Sequence, residues 1–269
     1  MTVRELLSGS GLPDHEARRL LAHALGRRPA SFTDLLVADD VAELYGSLVK
    51  RRLSGEPLQY IEGTVQFGPI ELLADRRALV PRPETEELWE MVAAMLVDRS
   101  PEHIVDLCTG SGNLALALKH EFPHAVVHGT DTSSDALDLA ASNGARLGLH
   151  VEWSHGDLFD ALSPGLIGNV DVIVANPPYI AEREFADLPI DVRDHEPRAA
   201  LVAGPTGDEL LRRIAADATS WLKPGGLVAC EIAATRATAA AILFSHYDAV
   251  VQADGAGRPR FVVGRSVSN

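Results

Sequence analysis

The fold of this chain is decided by Ile104-Val105-Asp106-Leu107-Cys108-Thr109-Gly110-Ser111-Gly112. The stretch begins as a short, mostly apolar run, typical of a buried strand, and ends in a turn that contains two glycines. Glycine lets the backbone come close to a ligand, and a helix that begins after such a turn offers unpaired N–H groups. We therefore predict a strand over 104–107, a ligand-binding turn, and a helix over about 112–121.

The sequence on both sides of this turn alternates between helix and strand patterns. In chain order the further runs are a helix over 84–97, a strand over 125–130, a helix over 133–147, strands near 150–153 and at 170–175, a helix over 207–222 and a strand over 226–231. Such alternation predicts a parallel sheet with helices on both faces. Two later strands, at about 247–252 and 260–264, lie too close together for a helical crossover and should pair antiparallel. The predicted fold class is α/β, with a mostly parallel sheet and an antiparallel late strand.

The first part of the chain has a different pattern, with short helices and no strand alternation. Thr2 and Glu5 have capping-box spacing, and apolar residues recur at helical intervals as far as the break at Ser54-Gly55-Glu56-Pro57. Short apolar runs around Gly68-Pro69 then predict a hairpin-like connection. We predict a small helical domain over 1–62, a linker over 63–83 and the α/β domain over 84–269.

Composition narrows the class of protein. No apolar stretch approaches the ~20 residues of a membrane span, and Cys108 and Cys230 form neither a disulfide framework nor metal-ligand spacing. The histidines are scattered, so no metal site is expected. With 24 basic and 38 acidic residues the net charge is −14. Stable binding to nucleic acid needs a basic face and is not expected either. We predict a cytoplasmic enzyme or binding protein with no membrane attachment.

A carboxylate follows the next predicted strand. Asp131 stands where it can accept hydrogen bonds from both hydroxyls of a ribose, while the glycine turn faces the same edge of the sheet. Together they predict a cofactor that contains a nucleoside. The pattern leaves nicotinamide cofactors and S-adenosylmethionine both open, as well as a glycine turn without any ligand.

Directly after the apolar run 170–175 comes Asn176-Pro177-Pro178-Tyr179. The prolines remove two donors, so the Asn176 side chain and a neighbouring carbonyl present acceptors to a planar NH2 group. Tyr179 can cover the face of a flat amide or base. This arrangement favours methyl transfer to a conjugated nitrogen, whose weak nucleophilicity makes positioning valuable. A simple Pro-Pro turn with Asn176 as a capping side chain is the alternative.

These motifs together resemble the class I, Rossmann-like, S-adenosylmethionine-dependent methyltransferases, and within them the HemK-type protein-(glutamine-N5) methyltransferases that modify peptide-chain release factors. Three further segments carry the resemblance: Gly55-Glu56-Pro57-Leu58-Gln59-Tyr60, Leu79-Val80-Pro81-Arg82-Pro83-Glu84-Thr85-Glu86 and His195-Glu196-Pro197. Similarity therefore extends over most of the chain. It implies the cofactor S-adenosylmethionine, a protein substrate, and a role for the N-terminal helices in holding that substrate.

The resemblance also implies which residues form the site. The methionine part of the cofactor would contact the turn residues Cys108, Thr109, Gly110, Ser111 and Gly112. Asp131 would bind the ribose, Asp157 and Leu158 the adenine, and Asn176 would lie beside both cofactor and substrate. The acceptor glutamine would lie against Asn176, Pro177, Pro178 and Tyr179. Arg82, Glu84, Thr85 and Glu86 would flank the substrate, or would simply start a helix with acids that suit its dipole.

The sequence departs from the family pattern at a few positions. Cys108 replaces a commoner glycine, Leu158 and His195 replace frequent aromatics, and Ala233 replaces a glycine after Glu231.

Four functions are compatible with these sequence patterns. The first is glutamine methylation in the Gly-Gly-Gln motif of a release factor, and the second is the same chemistry on a ribosomal or other protein. The third is adenine-N6 methylation of nucleic acid, and the fourth is a nicotinamide-dependent oxidoreductase or an inactive binding module.

Overall fold

The computed structural model describes residues 1–26 and 35–267, which form two compact units. One unit comprises Met1–Thr64 and Pro189–His195, and the other begins at Val65 and contains the rest. The helices are α1 (Val3–Ser8), α2 (Asp14–Leu25), α3 (Asp39–Leu53), α4 (Leu58–Glu62), α5 (Pro83–Met95), α6 (Asn113–Glu121), α7 (Ser134–Leu147), α8 (Ile190–Arg193), α9 (Glu209–Trp221) and α10 (Ala237–Leu243). The strands are β1 (Thr64–Phe67), β2 (Ile70–Leu73), β3 (His103–Leu107), β4 (Val126–Asp131), β5 (Glu152–His155), β6 (Val170–Ala175), β7 (Ile180–Ala181), β8 (Val202–Gly204), β9 (Leu222–Glu231), β10 (Tyr247–Ala253) and β11 (Pro259–Ser266).

The helical unit is stabilised by its own apolar core. Leu20 and Leu21 of α2 pack against Tyr45 and Leu48 of α3, and all four side chains are buried. The predicted capping box at the start of α1 is present, because the Thr2 hydroxyl accepts from the Glu5 N–H and the Glu5 carboxylate accepts from the Thr2 N–H. The later segment 189–195 packs within this unit, where Ile190 and His195 lie against Gly55.

The second unit is built on a seven-stranded sheet of order β10-β11-β9-β6-β3-β4-β5. Strands β9, β6, β3, β4 and β5 are parallel to one another, while β11 is antiparallel to both of its neighbours. This confirms the predicted α/β class with an antiparallel late strand. Strands β1 and β2 form a separate two-stranded sheet, and so do β7 and β8.

Both faces of the large sheet are covered, as its continuous apolar strands require. Ile104, Val172 and Val174 belong to the core on one face, whereas Val105 and Ile173 belong to the core on the other. The chain moves outward from β3 through β4 to β5 and then returns to place β6 on the other side of β3. Loops after β3 and β6 therefore diverge at a topological switch point, where open α/β sheets bind their ligands.

Some features of the fold were not predicted, among them the short helix α8. Helix α10 is absent from the sequence-based assignment, and so is the small β7–β8 sheet, which is too short to show a period. Strand β9 begins at Leu222, earlier than the predicted 226, and its pairing with β6 is irregular before Leu227, where Gly225 has a φ of +75°. No helix among the described residues is long and apolar enough to cross a membrane.

Candidate functional site

A cavity of about 300 Å³ lies at the carboxyl ends of β3, β4, β5 and β6. The predicted site residues that line it are Thr85, Cys108, Thr109, Gly110, Ser111, Asp131, Asp157, Leu158, Asn176 and Pro178. The predicted site residues that do not line it are Arg82, Glu84, Glu86, Gly112, Pro177 and Tyr179. One wall was given no role by the sequence, although Leu79 and Pro197 belong to segments that resemble the family; it is formed by Arg77, Ala78, Leu79, Pro197, Ala199, Ala200, Val202 and Ala203. The structure thus brings the two predicted motifs to one cavity.

The turn after β3 is shaped by left-handed backbone. Gly110 and Gly112 have φ values of +55° and +80°, and Cys108 has +57° although it carries a side chain. Gly112 precedes α6, and a Cβ atom there would lie 2.8 Å from the Trp153 ring. Gly112 is therefore required by the close approach of that ring, and it does not itself line the cavity. Burial raises the pKa of the Cys108 thiol, which disfavours a reactive thiolate.

Asp131 is held rigidly at the end of β4. Its Oδ2 accepts the Gly110 N–H at 2.9 Å, and its Oδ1 accepts the Ser133 N–H at 2.9 Å. A carboxylate oxygen has more than one lone pair, so each can accept a further hydrogen bond. The carboxylate is braced against the glycine turn and retains acceptors for a pair of hydroxyl groups.

Sequence reasoning assigned no role to Asp106, which the structure places beneath this turn. The side chain is buried, and its Oδ2 accepts from the Thr109 hydroxyl at 2.5 Å and from the Ala115 N–H at 3.1 Å. Burial is the main cause that raises its pKa to about 7. An acid within an apolar strand directly before a glycine turn was the signal that could have identified it.

Several buried polar atoms near the cavity have no partner among the described residues. They are Asp106 Oδ1, Ser111 Oγ and Thr130 Oγ1. Such atoms are costly in a folded protein, and these three lie in or beneath the turn, shielded from the cavity by their neighbours.

The segment after β5 combines a polar and an apolar side chain. Asp157 accepts from Arg213 at 2.9 and 3.0 Å, an ion pair that is largely exposed. Leu158 is buried at φ +51°, a conformation that a side chain rarely adopts. Its apolar surface lines the cavity, where the absent aromatic of the family pattern would stack.

The loop after β6 is linked to two buried groups. Asn176 donates from Nδ2 to Thr85 Oγ1 at 2.9 Å, and Thr85 donates to Glu231 Oε2 at 2.7 Å. Tyr179 donates from its hydroxyl to Glu231 Oε1 at 3.4 Å. Burial raises the pKa of Glu231, while the Thr85 hydrogen bond and the charge of Arg260 oppose that shift. Burial and the charge of Glu231 raise the pKa of Tyr179, which keeps the phenol protonated.

The other predicted flanking residues are engaged in ion pairs or lie further along the helix. Arg82 donates to Glu196 at 2.5 Å, and Glu196 is almost completely buried. Glu84 pairs with Arg258 at 3.2 Å. Glu86 is in the same first turn of α5. In the described part of the chain no group of three or more His, Cys, Asp or Glu side chains could hold a metal ion.

Comparison with known proteins identifies the family. Residues 2–63 match the PrmC N-terminal domain, and residues 89–189 match the methyltransferase small domain. A release factor glutamine methyltransferase from Deinococcus radiodurans is 38% identical over 98% of this chain and 95% of its own length. The one from Mycolicibacterium smegmatis is 39% identical over 97% of this chain and 93% of its own length. This chain belongs to the release factor glutamine methyltransferase family.

As a member of that family the chain is a methyltransferase whose cofactor is S-adenosylmethionine, which decides against a nicotinamide-dependent oxidoreductase. The fold is similar to that of the T. thermophilus 16S rRNA N2 G1207 methyltransferase in complex with AdoMet and guanosine. That structure has a TM-score of 0.53 and 17% identity, and the match covers 76% of this chain and 49% of that one. The residues at the cavity fit such a cofactor, since the braced Asp131 carboxylate suits its ribose and the apolar wall suits its adenine.

Proposed function

We propose that this release factor glutamine methyltransferase family member transfers a methyl group to the side-chain amide nitrogen, N5, of the glutamine in the Gly-Gly-Gln motif of a peptide-chain release factor. The observation that carries the proposal is the Asn176 side chain at the cavity. Its Nδ2 is occupied by Thr85, so its Oδ1 remains to accept from a substrate NH2 group. The relatives named as release factor glutamine methyltransferases favour glutamine as that substrate.

The chemistry explains why an amide needs this loop. The lone pair of an amide nitrogen is delocalised, so the nitrogen attacks poorly unless it is held toward the methyl group. Asn176 Oδ1 and the Pro177 carbonyl hold its two N–H groups, and Tyr179 packs beside its plane. S-adenosylmethionine supplies an electrophilic methyl group on a sulfonium. The contribution of the chain is therefore positioning, which can account for many orders of magnitude in rate.

The remaining assignments follow the resemblance to the family. The turn residues Cys108, Thr109, Gly110 and Ser111, which line the cavity, hold the methionine part of the cofactor, while Gly112 leaves room for the Trp153 ring. Asp131 accepts from the ribose hydroxyls, and Asp157 and Leu158 border the adenine. The ion pairs of Arg82 and Glu84 keep the start of α5 in place, with Glu86 in the same turn.

Substrate recognition is assigned to the helical domain that the sequence predicts over 1–62, which corresponds to the unit of Met1–Thr64 and Pro189–His195. A glutamine side chain alone offers little surface for specificity, so a folded substrate needs a second contact. The segment 189–195, which packs within the helical unit, follows the acceptor loop closely in the chain. The reaction takes place in the cytoplasm, where release factors act.

The decisive experiment is transfer of labelled methyl to purified release factors, with the modified residue located by mass spectrometry. We expect one methyl group on the glutamine of Gly-Gly-Gln and none on a substrate in which that glutamine is replaced by asparagine. A ribosomal protein mixture and an adenine-containing oligonucleotide serve as competing substrates. Methylation of either one, with the release factor unmodified, would contradict the proposal.

A further inference from the structure

We propose that Glu231 and Thr85 are positioning residues that determine which end of the Asn176 carboxamide faces the cavity. The inference rests on the proposed function, because it assigns to these two side chains the orientation of the group that holds the acceptor amide. Neither residue needs to touch the reacting atoms for this role.

The sheet places Glu231 next to the acceptor loop. Strands β6 and β9 are parallel neighbours in which Ala175 is paired with Cys230. Asn176 and Glu231 are the residues that follow this pair, so they lie side by side at the carboxyl ends of the two strands, where Glu231 still pairs with Phe261 of β11. Thr85, in the first turn of α5, bridges their side chains through its hydroxyl.

The direction of each hydrogen bond follows from the number of protons available. Thr85 has a single hydroxyl proton, which it donates to Glu231 at 2.7 Å. Toward Asn176 the hydroxyl oxygen can therefore only accept, and at 2.9 Å it requires the NH2 end of the carboxamide. The carbonyl end, Oδ1, then faces away from Thr85, as an acceptor for the substrate N–H group.

Burial makes this orientation costly to reverse. Glu231 and Thr85 are each 1% exposed, so water cannot supply a substitute donor or acceptor. If the Asn176 amide turned over, its oxygen would compete with the Glu231 carboxylate for the one hydroxyl proton, and one acceptor would lose its donor. In the reversed orientation the loop would also present a donor to a substrate group that itself only donates.

Substitutions at Thr85 separate the hydrogen bonds from the volume of the side chain. Thr85→Val keeps the shape and removes the hydroxyl, and Thr85→Ser keeps the hydroxyl. Glu231→Gln supplies both a donor and an acceptor, so the hydrogen bonds through Thr85 can run in either direction. We expect kcat for the release factor to fall about tenfold or more in Thr85→Val and Glu231→Gln, since each loses one directed hydrogen bond. Thr85→Ser should remain within about threefold of the wild type, and KM for the cofactor should change little in all three. Thr219→Val, which removes the hydroxyl that donates to Tyr247 on a different part of the unit, is the matched control.

A second measurement reports the orientation without any substrate. In isotope-labelled protein, one proton of the Asn176 NH2 group should exchange slowly with solvent because it is held by Thr85, and Asn176→Asp identifies the signals by deleting them. The protection should persist in Thr85→Ser and Thr219→Val and disappear in Thr85→Val. Protection that survives in Thr85→Val would overturn the inference, and so would normal kcat in Thr85→Val once the protection is lost. If the wild type methylates no release factor, the proposed function fails, and the exchange measurement alone decides the orientation.

Discussion

Two loops follow the carboxyl ends of the neighbouring strands β3 and β6, and they differ in whether backbone or side-chain groups do their work. The turn after β3, residues 108–112, depends on backbone: its φ values are positive at three positions, and its Gly110 N–H braces the Asp131 carboxylate. The loop after β6, residues 176–179, depends on side chains, since Asn176 and Tyr179 both connect to the buried Glu231.

This difference indicates which substitutions each loop tolerates. A turn that acts through its backbone tolerates a change of side chain, and Cys108 in a left-handed conformation is an example. A loop that acts through a carboxamide depends on groups that direct it, and those groups come from α5 and β9. We therefore expect substitutions in the loop after β6 to lower the rate of methyl transfer strongly, and those in the turn after β3 to have smaller effects.

The largest effect should come from Asn176→Ala. Loss of the group that holds the acceptor amide should lower kcat by about 10²-fold or more, as for removal of a single preorganised hydrogen-bonding group. Cofactor affinity should change much less. Asn176→Asp keeps the shape but adds a negative charge, which favours the charged sulfonium over a transition state in which that charge disperses, so it should also be slow. Single-turnover methyl transfer at saturating substrate measures the rates of both variants. Near-normal rates would show that Asn176 is only a capping side chain in a Pro-Pro turn.

Asp131→Ala should weaken binding of S-adenosylmethionine by about 1.5–3 kcal/mol, the range for hydrogen bonds to a charged group. Calorimetric titration measures this change, and thermal unfolding without cofactor shows how much the lost contacts to Gly110 and Ser133 contribute. Asp135→Ala, which removes an exposed acid from the same region, is the control for charge. Equal weakening in both variants would contradict a specific contact with the ribose.

Asp106 should give stability a pH dependence opposite to that of a salt-bridged acid. Its pKa is raised from 3.8 to about 7 in the folded protein, so between these pH values the folded chain holds a proton that the unfolded chain has lost. The contribution of this group to the free energy of unfolding is therefore highest below about pH 4, falls as the pH rises, and levels off above pH 7. Asp106→Asn mimics the protonated form. Its free energy of unfolding, relative to that of the wild type, should therefore rise by about 1–3 kcal/mol between pH 5 and pH 8. Urea unfolding at the two pH values tests this, and a constant difference would show that Asp106 is ionised throughout.

The smallest effect should appear at Cys108. Cys108→Gly and Cys108→Ala both remove the thiol, but only glycine removes the left-handed strain, so the glycine variant should be the more stable of the two by about 1 kcal/mol. Cofactor affinity should be similar in both, since the contacts of the turn are made by backbone. A large loss of affinity in either variant would show that the thiol itself contributes to binding.

The predictable parts of this molecule are those encoded by neighbours in the sequence. The helix–strand alternation identified the sheet, and the glycine turn and Asn176-Pro177-Pro178-Tyr179 identified two edges of the cavity, because each pattern lies within a few residues. The Thr85–Glu231 hydrogen bond joins residues 146 positions apart. The resemblance to the family marked Thr85 only as a residue that flanks the substrate, and Glu231 only as an acid at a strand end. Burial and pairing gave them a role, and neither property can be read from a single sequence.

The segment 189–195 belongs to the helical unit although the chain on both sides of it belongs to the other. The helical unit is thus discontinuous, and the polypeptide passes between the two units three times. A recombinant hybrid that exchanges only residues 1–64 with those of a relative would pair a foreign helical bundle with a resident α8 segment. Exchange of both pieces together would preserve the native packing around Gly55. On the proposed role of the helical unit in substrate recognition, the module to exchange is therefore encoded by two separate stretches of gene.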